Sequence, residues 1–219
     1  MKFLAIATDY DGTLAANGRP DTAAMAALQR AASAGCKLVL VTGRVVQDLQ
    51  SVFPGLTQFD RVVAENGAIM YNPASGEQTL LCEPVPRNFV AALRQRGLPV
   101  ATGRAIVATH AAHTSAVEEV IRQLGLELQI VRNKNSAMIL PAGVDKASGV
   151  QRALGELGIA AENAVAIGDA ENDEALLQAC GFGVAVANAL PTLKARADLV
   201  TQGAAGAGVA EAIASIFGQ

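Results

Sequence analysis

Four stretches of the chain carry side chains suited to acid–base or nucleophilic work. The first is Asp9-Tyr10-Asp11-Gly12-Thr13, which follows a short apolar run from Lys2 to Thr8. The second is Thr42-Gly43-Arg44, after the apolar run Cys36 to Val41. Lys146 opens a helical pattern, and Gly168-Asp169 closes the run Ala164 to Ile167. Carboxylates can attack an electrophile or carry a proton, and a lysine beside them can neutralise an anion. Each stretch alone has an ordinary reading. Asp and Gly are common turn residues after strands. A lysine at a helix start is ordinarily solvated, and Gly168-Asp169 would serve as a helix cap. Their joint occurrence, each at a strand end or helix start, points to one site.

The elements that must position these residues follow from hydrophobic periodicity and turn signals. Strands are expected over Lys2–Thr8, Cys36–Val41 and Arg61–Ala64, with a helix between the first two. Asp21 or Thr22 caps that helix, and Gly35 stops it. A second helix runs to about Phe53, closed by Pro54-Gly55. Ala68–Tyr71 and Gln78–Cys82 read as a hairpin. The rhythm then changes. Glu83-Pro84-Val85-Pro86 is a stiff connector, and Pro141-Ala142-Gly143 is a second one. Between them lies a unit of about 55–60 residues with an α-β-β-α-β-β pattern, which reads as an inserted domain. After it come a helix from Lys146, a strand at Ala164–Ile167, a helix near Asp173–Cys180, strands at Phe182–Val186 and Leu199–Thr201, and a closing helix from Gly208. The fold class is therefore α/β: a Rossmann-like parallel sheet with helices on both faces, plus a smaller inserted α/β cap. The expected boundaries are 1–84 and 143–219 for the discontinuous core and 85–142 for the cap. Ligands of such sheets gather beyond the C-terminal ends of the strands.

Composition narrows the partners. The chain has 219 residues, 51% hydrophobic and 17% charged, as a folded globular chain should. A net charge of −3 without a long basic run makes nucleic acid and anionic membrane poor partners. The three cysteines, Cys36, Cys82 and Cys180, are scattered and suit a reducing compartment. No apolar stretch approaches the roughly 18 residues needed to span a membrane. A soluble, cytoplasmic protein is expected, a monomer or homodimer.

Taken together, the motif residues resemble the haloacid dehalogenase superfamily of phosphohydrolases. Asp9-Tyr10-Asp11-Gly12-Thr13-Leu14 is similar to its first motif, Thr42 to its second and Lys146 to its third. Gly168-Asp169-Ala170-Glu171-Asn172-Asp173 is similar to its fourth. Val41–Arg44, Glu65-Asn66-Gly67-Ala68, Gly143–Lys146 and Val184–Ala189 resemble the Cof-like branch. The short cap looks most like that of the small phosphoglycolate-phosphatase and sucrose-phosphatase relatives.

The resemblance implies a Mg²⁺-dependent phosphatase acting on a small phosphorylated metabolite through an aspartyl-phosphate. Asp9 is then the nucleophile, and Asp11 the general acid and base. Asp9 and Asp169 hold Mg²⁺ by side chains and Asp11 by its backbone carbonyl. Thr42, Gly43, Lys146 and Asn172 contact the phosphoryl group, Thr13 braces the loop, and Asp173 orders the water around the metal. Arg44, Asn66 and Lys134 are candidate substrate contacts. Arg104, His110, His113 and Arg132 are further polar candidates in the cap, where a surface or helix-start role is the alternative for the histidines. The physical need for a cation is plain. A carboxylate about 3.5 Å from a phosphate dianion is repelled by roughly 9 kcal/mol at an effective dielectric near 20. That repulsion slows attack by about six orders of magnitude. Two other readings share much of this chemistry. A phosphomutase would pass the phosphoryl group within a sugar phosphate. A receiver-type signalling domain would accept phosphate on an aspartate without turnover.

Overall fold

The computed structural model describes residues 3–218; Lys2, the expected start of the first strand, lies outside them. The chain opens with β1 (Ala5–Asp9), whose five residues are all buried. A two-stranded ribbon follows, β2 (Ala15–Ala16) with β3 (Arg19–Pro20). Sequence patterning does not show this ribbon, because two-residue strands are too short for any period. Helix α1 (Thr22–Ser33) begins at Asp21, whose Oδ1 accepts the amides of Ala23 and Ala24 at 2.8 and 3.1 Å. That satisfies donors the first turn cannot use internally. Gly35, at φ 96°, turns the chain back into β4 (Lys37–Val41). Next come α2 (Val46–Val52), β5 (Arg61–Ala64) and the hairpin β6 (Ile69–Asn72) and β7 (Glu77–Leu80).

The middle of the chain has the expected order: α3 (Arg87–Gln95), β8 (Ala101–Thr102), β9 (Val107–His110), α4 (Thr114–Leu124), β10 (Leu128–Asn133) and β11 (Ser136–Pro141). The chain then returns through α5 (Lys146–Glu156), β12 (Ala164–Gly168), α6 (Glu174–Ala179), β13 (Phe182–Ala185), α7 (Pro191–Lys194), β14 (Leu199–Val200) and α8 (Ala205–Phe217). Helix α7 is another element too short for any period, although Pro191 opens its first turn. Among the described residues no helix is long and apolar enough to cross a membrane.

The large sheet has the order β14-β13-β12-β1-β4-β5-β6-β7. The six strands from β14 to β5 are parallel, and β6 and β7 add an antiparallel edge, so the sheet is mixed. Its central strands read as continuous apolar runs because both faces are covered. From β1 the chain moves one way to β4 and β5. After the insert it moves the other way, from β12 to β13 and β14. The order therefore reverses at the β12–β1 crevice, the place where open α/β sheets bind ligands. Register fixes which residues meet there. Asp9 pairs with Val41, so Thr42 comes next on the neighbouring strand. Thr8 pairs with Ile167, which places Gly168 and Asp169 beside Asp9 on the other side.

The middle segment forms a separate antiparallel sheet, β10-β11-β9-β8. It has its own buried cluster of Val85, Phe89, Leu93, Val107, Val117, Val120 and Ile139. Helices α3 and α4 pack against each other over this cluster. The turn residues Ala105 and Ile106 are buried with the large cluster instead.

Candidate active site

The site is built where four chain segments end at one sheet edge. Asp9, the last residue of β1, is 4% exposed. Lys146, the first residue of α5, is 1% exposed. Its Nζ donates to Asp9 Oδ1 and Asp173 Oδ1, both at 2.6 Å. Helix α5 is held in place by a reciprocal cap. Asp145 accepts the Ser148 amide at 2.8 Å, and Ser148 Oγ accepts the Asp145 amide at 3.0 Å. Asp173 is fully used: Oδ1 meets Lys146, and Oδ2 accepts the amides of Asp169 and Ala170 at 2.9 and 3.0 Å. Its carboxylate thus fixes the turn that carries Asp169.

Asp169 follows β12 and is 1% exposed. Its Oδ1 accepts from Thr13 Oγ1 at 3.2 Å, and its Oδ2 from Lys134 Nζ at 2.9 Å. Gly12 lets the first loop come this close. At φ 90°, a Cβ there would sit 2.4 Å from Asp169 Oδ2. One oxygen from each of Asp9, Asp169 and Asp173 lies within 4.8 Å of the others. Burial pushes the Asp9 carboxyl up to about 8, against the pull of Lys146, and the charge of Asp173 adds to the push. Burial likewise raises Asp169, opposed by its bond to Lys134. Burial works to lower Lys146, but the charges of Asp173 and Asp9 outweigh it and hold the ammonium above its ordinary value. The centre has more carboxylate than its lysines neutralise.

The other residues singled out in the sequence are distributed as follows. Thr42 is fully buried, and its Oγ1 accepts the Arg44 amide at 3.1 Å. Gly43 lies under the middle sheet: a Cβ would meet Met138 Cε at 2.8 Å. Asn172 donates to Asn66 Oδ1 at 3.0 Å, while its own Oδ1 is buried without a hydrogen-bond partner. Asn66 also touches Met138 Sδ. Arg44 grips Asp11 by two bonds, at 2.6 and 2.9 Å, and reaches Asp48 at 2.7 Å. Its guanidinium stands over the Tyr10 ring, 5.6 Å from the centroid. Asp11 is thus not among the three gathered carboxylates, and its side chain is 41% exposed.

Lys134, at the β10–β11 turn with φ 53°, is the cap candidate that reaches the centre. Its amide also donates to Glu171 at 3.2 Å. Arg104 instead donates to Gln78 of β7 at 3.1 Å, and the rings of His110 and His113 lie 6.3 Å apart, tilted by 57°. Arg132 is exposed.

Three residues at the site have no counterpart among the sequence candidates. Asn188 donates to the Gly12 carbonyl at 2.8 Å and accepts the Ala205 amide at 2.6 Å. The Val184–Ala189 stretch that resembles the Cof-like branch contains it and was the available signal. Glu171 likewise stands within the Gly168–Asp173 stretch, whereas Met138 had no signal, since apolar residues in hairpins are ordinary.

The comparisons with known proteins bear on this arrangement. A family model described as haloacid dehalogenase-like hydrolase matches residues 6–96 and 99–213. The chain belongs to that family. The Cof-like phosphatase resemblance is borne out, and the receiver-type reading falls away. A phosphoglycolate phosphatase of Methanothermobacter thermautotrophicus is 31% identical, over 98% of this chain and 99% of the relative. A phosphoglycolate phosphatase 2 of Saccharolobus solfataricus is 31% identical, over 97% of this chain and 91% of the relative. The fold is shared with a HAD/Cof-like hydrolase of Plasmodium vivax, at TM-score 0.84, 20% identity and coverage of 99% and 96%. It is also shared with a subclass IIB sugar phosphatase of the superfamily, at TM-score 0.80, 21% identity and coverage of 98% of each chain.

Within this family member, the Glu65–Gly67 bend wedges between β5 and α5. Gly67 has φ 104°, and a Cβ there would lie 1.9 Å from the Asp145 carbonyl oxygen. Gly67→Ala is expected to cost more than about 2 kcal/mol of stability. Urea unfolding checks this, and a midpoint equal to wild type would reject the close approach.

Proposed function

We propose that the chain is a Mg²⁺-dependent phosphatase that hydrolyses phosphoglycolate through an aspartyl-phosphate on Asp9, with residues 85–142 as its cap. The observation that carries the reading is the Lys146 bridge between Asp9 and Asp173 beside Asp169 at the switch point of the sheet. The donor set suits a hard cation: it is oxygen-only, buried and short of positive charge. Asp9 and Asp169 would hold Mg²⁺ by their side chains and Asp11 by its backbone carbonyl. When bound, Mg²⁺ supplies the charge that lets a carboxylate approach a phosphate dianion.

The chain's own residues then divide the work. Lys146 fixes Asp9 Oδ1 and so aims the carboxylate at phosphorus. Attack by an Asp9 oxygen forms the Asp9–phosphate bond and breaks the bond from phosphorus to the ester oxygen. Asp11, turned away from Arg44, gives that oxygen its proton. Water next attacks phosphorus, Asp11 takes the water's proton, and inorganic phosphate leaves with Asp9 restored. Thr42, the Gly43 backbone, Lys146 and Asn172 surround the phosphoryl oxygens. Because Arg44 holds both Asp11 oxygens, entry of the substrate has to break that pair. Asn66 and Met138 border the space beside it.

Lys134 supports an anionic leaving group. It is the residue of the middle sheet that ion-pairs with a core carboxylate among the described residues, and burial is outweighed by Asp169 in raising it. Asp169 would serve the cation when one is bound, and the Lys134 ammonium would then be available to the glycolate carboxylate. Lys134→Ala is expected to lower kcat/KM for phosphoglycolate by about 10–100-fold, as loss of a charge-assisted bond of roughly 1.5–3 kcal/mol implies. p-Nitrophenyl phosphate, which lacks that carboxylate, should change less than about threefold. The test of the whole reading is phosphate release from phosphoglycolate and a panel of sugar phosphates, with Mg²⁺ and with EDTA. Release that persists in EDTA would sink the metal role, and preference for sugar phosphates would move the substrate.

A further inference from the structure

Glu65 has no part in the chemistry above, yet it is 1% exposed and lies beside Asn66. It is also not glycine, although its φ is 51°. Asn66 and Gly67 continue in the same left-handed region, at φ 53° and 104°. Side chains rarely accept such a backbone unless surrounding contacts impose it. The contacts are present on every side. The Glu65 amide donates to the Arg44 carbonyl, and the Asn66 amide to the Thr42 carbonyl, both at 3.0 Å. The Asn66 side chain meets Asn172, and Gly67 rests against Asp145.

The Glu65 side chain goes elsewhere. Its Oε1 accepts the Arg104 amide at 2.9 Å, and its Oε2 those of Ala105 and Ile106 at 2.9 and 3.2 Å. Three consecutive backbone amides of the β8–β9 turn thus converge on one core carboxylate. Among the described residues no lysine or arginine pairs with it. The turn is shaped to receive it: a Cβ on Gly103 would lie 2.4 Å from Oε2. The Val85 amide, at the first connector, donates to the Ala105 carbonyl at 2.9 Å. Turn and connector are therefore tied together at the core.

We propose that Glu65 is a positioning residue: the pivot that sets the angle of the cap over the site, and through it the reach of Lys134 and Met138. The lever is strand β11. Its Ile139 pairs with Val107, next to the clamped residues, its Met138 faces Asn66 and Gly43, and its turn carries Lys134 to Asp169. Six strand residues span roughly 20 Å, so a tilt of about 6° at the clamp moves the tip by about 2 Å. That shift is enough to part Lys134 from an anion it would otherwise touch. The bend is tied to the Thr42 loop by its own backbone amides, so the Glu65 side chain can be altered while the phosphoryl pocket keeps its support.

The test uses Glu65→Gln in the full chain. One acceptor becomes an NH₂ group facing backbone donors, with volume nearly unchanged. Amide exchange at 104–106 should accelerate at least tenfold while β1 and β12 keep their protection. KM for phosphoglycolate should rise at least tenfold, with kcat for p-nitrophenyl phosphate within about threefold of wild type. Should that variant fail to fold, Gly103→Ala pushes on the same carboxylate from the cap side and should give the same pattern. Unchanged exchange at 104–106, or equal loss on both substrates, overturns the pivot. The kinetic arm rests on the phosphoglycolate reading; the exchange arm does not. Wild-type protein inactive on phosphoglycolate would reject that reading, while local acceleration of 104–106 would still support the pivot.

Discussion

Asp9→Asn is expected to abolish Mg²⁺-dependent hydrolysis, with kcat falling by roughly four orders of magnitude or more, while the fold remains intact. The amide is nearly the size of the carboxylate but cannot attack phosphorus. It can still accept one bond from Lys146, so the local geometry has little reason to change. Stability provides an independent sign. Burial raises Asp9 from its ordinary value of 3.8 to about 8, so the folded chain favours the protonated carboxyl more than the unfolded chain does. Between those values the ionised unfolded state is favoured relative to the fold, and stability falls as pH rises. A neutral side chain removes that cost. In EDTA at pH 7 the variant should therefore melt no lower than wild type. Hydrolysis of p-nitrophenyl phosphate is the readout, with mass spectrometry to exclude reversion of the new amide to the carboxylate by deamidation. Near-wild-type turnover in the mass-verified variant would falsify the nucleophile assignment.

Lys146→Met should injure stability as well as activity. The ammonium is buried between two buried carboxylates, and methionine fills much of its volume without the charge. Breaking one side of a buried ion pair typically costs about 3–5 kcal/mol, because the remaining charges have neither water nor a partner. For a chain of this size that corresponds to a fall in Tm of roughly 6–20 °C. Turnover should fall about a thousandfold or more, since Asp9 loses its orientation and the phosphoryl group a positive neighbour. Mg²⁺ should restore part of the stability, and should raise Tm more in the variant than in wild type. Thermal melts with and without Mg²⁺ decide it. A variant that melts with wild type, or that Mg²⁺ leaves unmoved, would show that Lys146 does not balance this cluster.

Asp11 and Arg44 show where reading along the chain stops being enough. Asp11 stands two residues after Asp9, and that spacing places it near the same pocket. Whether its carboxylate joins the metal cluster or faces outward depends on Arg44, which lies 33 residues away and takes both of its oxygens. Lys134 is a parallel case. A lysine in an Asn-Lys-Asn turn is an ordinary solvated hairpin tip, and only the docking of that hairpin over β12 brings it to Asp169.

The sequence alone determined the longer elements and the edge they share. Asp9, Thr42, Lys146 and Asp169 end up together because apolar runs, caps and proline-marked connectors are local signals, and a parallel sheet aligns its strand ends. Strand β5 has the expected bounds for the same reason. The tertiary structure decided which partner each polar group takes. The clamp of Glu65 on residues 104–106, the seat of Met138 on Asn66 and the bracing of Gly12 by Asn188 join segments far apart in the chain. Such contacts depend on the angle at which one packed layer meets another. Packing and hydrogen bonding across the layers set that angle together, and no period along the chain encodes it.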